Sequence, residues 1–289
     1  VSGSGPVGFV GLGNMGAVLA HNLVRSGFAV VAHDAAGPHR APEGVEFAES
    51  VAALASRAEC VVFSLPDGSA STSVARELVA TSDRKVACVV DTSTIGIDAA
   101  TTIAALLSEV GIAYLDAPVS GGVAGARARS LTVMVAGPDE VCQQAESVLA
   151  GLSDRRCRVG DRPGLGQAMK LANNFLAAVA LSATSEAIAF GVAAGLEMGV
   201  MLDVLNNSSG RNSATEDKFP GQVLAGTYEY GFSNTLMNKD QRLYLEAVAE
   251  HGGPAEIARV NASLWERFCE AEPGADFTRI YPFVQGERS

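Results

Sequence analysis

GFVGLGNMG, residues 8–16, ends one short apolar run and opens a stretch of helical spacing at 14–26. Gly11, Gly13 and Gly16 stand in the order GxGxxG. At the first position glycine permits a tight turn, and at the second it lets the backbone approach a pyrophosphate. The third lets helix and strand pack closely, and the helix N-terminus then offers N–H groups to phosphates. Glycines mark many turns, so the pattern alone is weak; a strand before it and a helix after it give it weight. Asp34 closes the next apolar run, 23 residues after Gly11. A carboxylate there accepts hydrogen bonds from ribose hydroxyls. The expected ligand is a dinucleotide, held by Gly11, Leu12, Gly13, Asn14, Met15, Gly16 and Asp34. The charge on Asp34 repels a 2′-phosphate and Ala35 supplies no cation, so NAD is the expected cofactor. NADP is the alternative, because His39 and Arg40 stand close by in sequence.

Working outward, β-rich runs at 6–10, 28–33, 60–65, 86–91, 113–118 and 131–137 alternate with helical spacing at 14–26, 97–110 and 138–150. Such alternation marks a parallel sheet with crossover helices, and runs that are apolar throughout suit strands covered on both faces. After RPGLG (162–166) the β-rich character stops, and helices are predicted over 166–194, 198–207, 235–251 and 254–271. The expected fold is α/β: a Rossmann dinucleotide-binding domain over 1–163, then an all-α domain for substrate and oligomerisation over 164–289, joined by a long helix.

Apolar residues make up 48% of the 289, enough for one large or two ordinary cores. A net charge of −11 disfavours nucleic acid and anionic membrane surfaces as partners, yet leaves room for a small anion at a local positive site. The five cysteines, 60, 88, 142, 157 and 269, form no CxxC pair, which predicts a reduced cytoplasmic protein without a metal site. The opening VSGSGPVGFV has neither a basic nor a long apolar region, so no signal peptide is expected.

Further loops follow strands at Leu65-Pro66 and at Thr94, where ligands of open α/β sheets sit. In DAPVSGG (116–122), Ser120, Gly121 and Gly122 can present successive N–H groups and a hydroxyl to a carboxylate. GQAMKLANN (166–174) puts Gly166, Lys170 and Asn174 at i, i+4 and i+8, on one helix face, at the head of an apolar helix expected to be buried. Burying a lysine needs compensation, and a domain junction is where a substrate supplies it.

GFVGLGNMG, DAPVSGG, GQAMKLANN and LMNKD (236–240), in that order, resemble the β-hydroxyacid dehydrogenase family along residues 6 to about 285. The resemblance implies Lys170 as catalytic lysine, with Ser120, Gly121 and Gly122 as the substrate-carboxylate loop. It implies Asn174 beside the substrate, Lys239 reaching the cofactor, and Leu65, Pro66 and Thr94 on the dinucleotide. A small carboxylic acid substrate and a homodimer or homotetramer follow from the same resemblance. Lys170 is then a general acid/base whose partial burial is expected to lower its pKa toward neutrality.

Asn173, where 6-phosphogluconate dehydrogenases carry histidine, and the presence of Lys170, which imine reductases lack, disfavour those relatives. Ser213 stands where 3-hydroxyisobutyrate and serine dehydrogenases often carry tryptophan, and Val123 favours a hydrocarbon substituent on the substrate. Arg211 and Lys218 are candidates for a second anionic group, or else exposed helix cations. The expected activity is hydride transfer between NAD(P) and a short β-hydroxy acid, 3-hydroxyisobutyrate-dehydrogenase-like. Tartronate or succinic semialdehyde reductase is the alternative within the family, and a non-catalytic dinucleotide-binding protein is the alternative from another class.

Overall fold

A computed structural model describes residues 5–286. Val1 to Ser4, part of the opening read above for a signal peptide, lie outside the described residues. The chain divides into two compact units, Val1–Lys170 and Leu171–Ser289. That division falls inside one long helix, Leu165–Ala193.

In the first unit the elements run β1 (Val7–Val10), α1 (Gly16–Arg25), β2 (Val30–His33), β3 (Val45–Phe47), α2 (Val51–Ala55), β4 (Cys60–Phe63), α3 (Gly68–Ala80) and β5 (Cys88–Asp91). There follow α4 (Ile97–Ser108), β6 (Ala113–Asp116), β7 (Val119–Ser120), α5 (Gly122–Arg127), β8 (Thr132–Ala136), α6 (Asp139–Leu152) and β9 (Arg155–Gly160). The sheet order is β3-β2-β1-β4-β5-β6-β8-β7, with β9 on β8. From β3 to β6 the pairing is parallel, as the apolar runs predict. β8, however, runs antiparallel to β6 and β7 and parallel to β9, so the sheet is mixed at that end.

Alternation along the strands splits the core into two layers. Phe9, Val30, Ala32, Cys60, Val62, Cys88 and Val90 face the layer that packs under α1 and α6. Val10, Val31, Val61, Phe63 and Val89 face the other, under α2, α3 and α4. Covering both faces explains why these strands lack a polar period. The N-termini of α2 and α3 are capped by Ser50 and Asp67, whose side chains accept from Ala53 N and Ala70 N. Each cap contributes about 1 kcal/mol.

The helix α7 (Leu165–Ala193) leads into the second unit, which holds α8 (Met198–Asn206), a π-helical segment Ala214–Val223, α9 (Asn234–His251), α10 (Glu256–Ala271) and α11 (Ile280–Val284). Its core gathers Leu181, Ile188, Phe219, Trp265, Phe268 and Phe277. α7 corrects one expectation. Only 39% of its most apolar window is buried, and Leu176 and Phe190 stand exposed. By length and composition it is the one described helix that could cross a membrane. In ADFTRI (275–280), Asp276 accepts from Gly231 N and Thr278 N, and Phe277 is buried against Tyr230 and Phe232.

Candidate active site

β1 pairs with β2 on one side and β4 on the other, so the strand order reverses at its C-terminal end. That reversal opens the crevice in which α/β sheets bind dinucleotides. Gly11 turns the chain there with φ +95°, and a Cβ on it would stand 2.3 Å from the Ser64 carbonyl oxygen. Gly16 sits on the same turn, where a Cβ would strike the Gly11 carbonyl. Gly13 has open space instead, with nothing within 4 Å of a built Cβ. α1 begins at Gly16, with Leu12 buried beneath the loop. Asp34 ties this loop to the end of β2: its Oδ2 accepts from Leu12 N at 2.6 Å and its Oδ1 from Ala36 N at 2.8 Å. Each carboxylate oxygen keeps capacity for a ribose hydroxyl. The turn, the open approach at Gly13 and the carboxylate fit a dinucleotide.

The neighbouring loops are bound to each other. Leu65 N donates to Ser93 Oγ at 2.8 Å, joining the loop after β4 to the one after β5 that carries Thr94. Leu65 and Thr94 are half-buried and Pro66 is exposed. Ser120 ends β7, and Gly121 and Gly122 follow with φ +132° and +66°, turning the chain into α5. A Cβ at Gly121 would lie 3.0 Å from Leu131 Cδ2.

Two carboxylates that sequence reading left unassigned lie at the ends of β5 and β6. Asp91 and Asp116 are opposite each other in register and fully buried. Asp91 accepts from Ser93 N at 2.9 Å and Tyr114 Oη at 3.3 Å, and burial raises its pKa. Asp116 Oδ2 accepts from Gly164 N at 3.0 Å and Gln167 N at 2.9 Å, and Oδ1 accepts from Gln167 Nε2 at 2.7 Å. Burial nevertheless pushes its pKa up to about 6, outweighing those three donors. Gln167 Nε2 also donates to Ser93 O at 3.0 Å, and its Oε1 accepts from Ile95 N at 2.9 Å and Gly96 N at 3.2 Å. Asp116 lies directly against Gly166 on that helix face: a Cβ there would stand 2.8 Å from its carboxylate. The signal was available, since Asp116 is a charged residue closing an apolar strand and Gln167 opens the lysine helix. What they bind, however, lies 51 residues away in the chain.

Lys170, one turn beyond Gly166, is 8% exposed. It is therefore buried rather than extended to solvent. The first unit thus contains the glycine loop, Asp34, Leu65, Pro66, Thr94, Ser120-Gly121-Gly122 and Lys170.

In the second unit Asn174 is 6% exposed and its Nδ2 donates to Asp240 Oδ2 at 2.6 Å. Asn173 Nδ2 donates to Asn174 Oδ1 at 3.0 Å, so it serves its neighbour. Lys239 Nζ stands 3.3 Å from Asp240 Oδ1. Asp240, quoted in LMNKD but given no role there, thus lies between the two expected site residues of this unit. Arg211 is exposed beside Glu216, whereas Lys218 is largely covered, 3.2 Å from Asp217 and over the Tyr230 ring. The reading of Lys218 as an exposed helix cation is therefore corrected, because its charge is already paired.

Known proteins resemble the chain along nearly its whole length. A family model described as the NAD-binding domain of 6-phosphogluconate dehydrogenase matches residues 6–160. A second, described as the NAD-binding domain of NADP-dependent 3-hydroxyisobutyrate dehydrogenase, matches residues 164–284. The mitochondrial 3-hydroxyisobutyrate dehydrogenase of Rattus norvegicus is 31% identical over 98% of this chain and 88% of its own length. The 2-(hydroxymethyl)glutarate dehydrogenase of Eubacterium barkeri is 32% identical over 90% of this chain and 88% of its own. The structure of Mycobacterium tuberculosis 3-hydroxyisobutyrate dehydrogenase with L-serine superposes with a TM-score of 0.88 at 31% identity, covering 97% of this chain and 99% of that one. Two family models matched in order along residues 6–160 and 164–284, with relatives 31% identical over nearly the whole chain, make this chain a member of the β-hydroxyacid dehydrogenase family and an NAD(P)-dependent oxidoreductase.

Proposed function

We propose that the protein oxidises a short β-hydroxy acid of the 3-hydroxyisobutyrate type, preferring NAD, with Lys170 as the general acid/base. The observation that carries this reading is the buried Lys170 amine in the same unit as the glycine loop and the Ser120-Gly121-Gly122 turn. A bound dinucleotide supplies the hydride acceptor. Ser120 and the backbone of Gly121 and Gly122 hold the substrate carboxylate. Lys170 in its neutral form takes the hydroxyl proton while hydride leaves the same carbon. The ammonium so formed offsets the nearby carboxylate. In the reverse direction Lys170 protonates the alkoxide that forms from a semialdehyde. Asn174, oriented by Asp240, positions the substrate without adding a second charge. The Asp34 carboxylate supports NAD over NADP through repulsion of a 2′-phosphate.

Two further readings belong to this proposal. Five free thiols support a reducing, cytoplasmic setting. A second copy of the chain covers the exposed face of α7. Leu176, Ala183, Ala187 and Phe190 are all exposed there and recur at i, i+7, i+11 and i+14, which makes one stripe about 21 Å long. An antiparallel two-fold centred on Ala183 would set Leu176 of one copy against Phe190 of the other, the self-complementary arrangement an isologous dimer needs.

The test follows NADH absorbance with NAD⁺ or NADP⁺ and 3-hydroxyisobutyrate, serine, glycerate, 4-hydroxybutyrate and 2-(hydroxymethyl)glutarate. Lys170→Ala is expected to lower kcat by about 10²–10⁴, the range for loss of a general acid/base. Turnover that survives the substitution would overturn the role of Lys170. Faster turnover with NADP⁺ would overturn the cofactor preference.

A further inference from the structure

Lys170 stands three residues after Gln167, on the adjoining turn of α7. Every polar atom of the Gln167 side chain is committed. Its Oε1 accepts from Ile95 N and Gly96 N, while its Nε2 donates to Ser93 O and Asp116 Oδ1. These partners fix which way the amide faces, because the two backbone N–H groups demand an oxygen and the Ser93 carbonyl demands a donor. Asp116 must then offer acceptors on both oxygens: one to Nε2, the other to Gly164 N and Gln167 N. Gly166 lets the helix turn rest directly on this carboxylate. Gln167 and Asp116 are both fully buried.

We propose that Asp116 and Gln167 form a latch that positions Lys170. It locks the first turn of α7 to the loop after β5, which carries Thr94, and to the end of β6, which leads into the Ser120-Gly121-Gly122 turn. This inference rests on the reading of Lys170 as the acid/base, and it names the groups that set where that amine stands. Asp116 and Gln167 are positioning residues and touch neither substrate nor cofactor. A helix start is ordinarily free to fray, since its first N–H groups lack partners within the helix. Here Gln167 N donates to Asp116 and the Gln167 side chain holds the loop after β5 and the end of β6, so the amine one turn on is fixed relative to the Thr94 loop. Misplacing a catalytic group by about 1 Å can lower a rate about 10²-fold.

The latch has a charge logic that a test can use. Asp116→Asn puts an amide NH2 where only acceptors fit, so one donor meets another. Gln167→Glu sets carboxylate against carboxylate. Together, Asp116→Asn with Gln167→Glu restores a donor–acceptor pair between residues 116 and 167, leaving only the Ser93 carbonyl without its donor. Gln167→Met keeps the length and removes every side-chain hydrogen bond, leaving only the backbone bond from residue 167 N to Asp116.

Four variants are compared with the full-length parent: Gln167→Met, Asp116→Asn, Gln167→Glu and the double exchange. Two quantities are measured. The first is kcat, with the Kd for NADH as a check that the glycine loop is intact. The second is independent of turnover: the rate at which Lys170 is reductively methylated by formaldehyde and borohydride in the cofactor-free protein, read by peptide mass spectrometry. The exposed Lys85 serves as internal standard. Each single variant is expected to lower kcat at least tenfold with the NADH Kd changed less than threefold, and to raise Lys170 methylation at least threefold relative to Lys85. The double exchange is expected to recover at least threefold in kcat over either charged single variant. Singles that bind NADH normally with both kcat and Lys170 methylation unchanged would overturn the latch. So would a double exchange no better than its parts, and if the singles fail to fold, that comparison alone decides. If Lys170→Ala retains turnover, the acid/base reading falls, while the methylation rates still judge the latch on its own.

Discussion

Asp116 is a carboxylate that only accepts hydrogen bonds, three of them, from a position without solvent contact. Burial favours its neutral form and the three donors favour its charge; burial wins, and the pKa rises from 3.8 to about 6. The sign of the consequence runs against the usual carboxylate. Between these two values the folded state holds a proton that the unfolded state has released, so Asp116 makes the protein less stable as pH rises through this window. A shift of this size corresponds to about 3 kcal/mol, complete once pH exceeds 6. Asp116→Asn does not titrate, and it places a donor among donors, which costs roughly 1–3 kcal/mol. The stability gap between parent and Asp116→Asn is therefore expected to be wider at pH 4.5 than at pH 7.5. Urea denaturation at both values measures it. A gap that stays constant or widens with pH would show that Asp116 is already ionised in the folded protein at pH 4.5. This residue also marks where sequence reading stopped. Asp116 stood in a quoted motif, but its partners Gly164 and Gln167 come from a distant segment, and nothing local in DAPVSGG announces them.

At the scale of elements, the readable ones were those whose pattern is local. The central strands and the four long helices follow apolar periodicity and lie within two or three residues of their predicted places. The missed ones are held by tertiary pairing. β9, RRCRVG, carries three arginines and reads as a loop, yet it pairs with β8 while Arg156 and Arg158 reach Glu146 and Asp139 on α6. A charged edge strand is sensible protection against aggregation, but it hides the strand. The π-helical segment contains Pro220, which sequence rules place outside helices. α1 and α6 are joined by another residue without a local signature. Arg129 adopts φ +57°, and its guanidinium donates to Ala150 O at 2.7 Å, Gly151 O at 2.9 Å and Ser26 Oγ at 2.9 Å. It satisfies carbonyls in the last turn of α6, which have no partner within the helix. Arg129→Met keeps the aliphatic stem and removes these donors. The expected loss is about 1–3 kcal/mol in urea denaturation, with the Kd for NADH unchanged. A loss below about 0.5 kcal/mol would mean that water replaces the guanidinium at these carbonyls.

On the scale of the whole molecule, apolar surface is divided unevenly between the units. Among the described residues every exposed large apolar side chain except Met169 belongs to the second unit. Phe190 is 76% exposed, and its counterpart on α7, Leu176, is 64% exposed. The sequence showed an apolar helix and was read as a buried one, because periodicity reports that a face is apolar and not what covers it. Its inner face, with Leu181 and Ile188, packs in the core of its own unit. The outer stripe is the part that the proposed second copy covers. Ala183 and Ala187 at its middle let two helices approach closely, and Leu176 and Phe190 at its ends supply the apolar area. Light scattering on the eluted protein is then expected to give at least two chains of 29.7 kDa at micromolar concentration. Phe190→Glu would bury two carboxylates in the interface of every dimer. Burial of unpaired charge disfavours the assembly, so the variant is expected to shift toward a single chain. Because Phe190 lies outside the core of its own unit, its Tm measured at high dilution is expected to remain within a few degrees of the parent's under the same conditions. A parent that elutes as one chain would remove the second copy from the account. A Phe190→Glu variant that remains dimeric would move the interface away from α7.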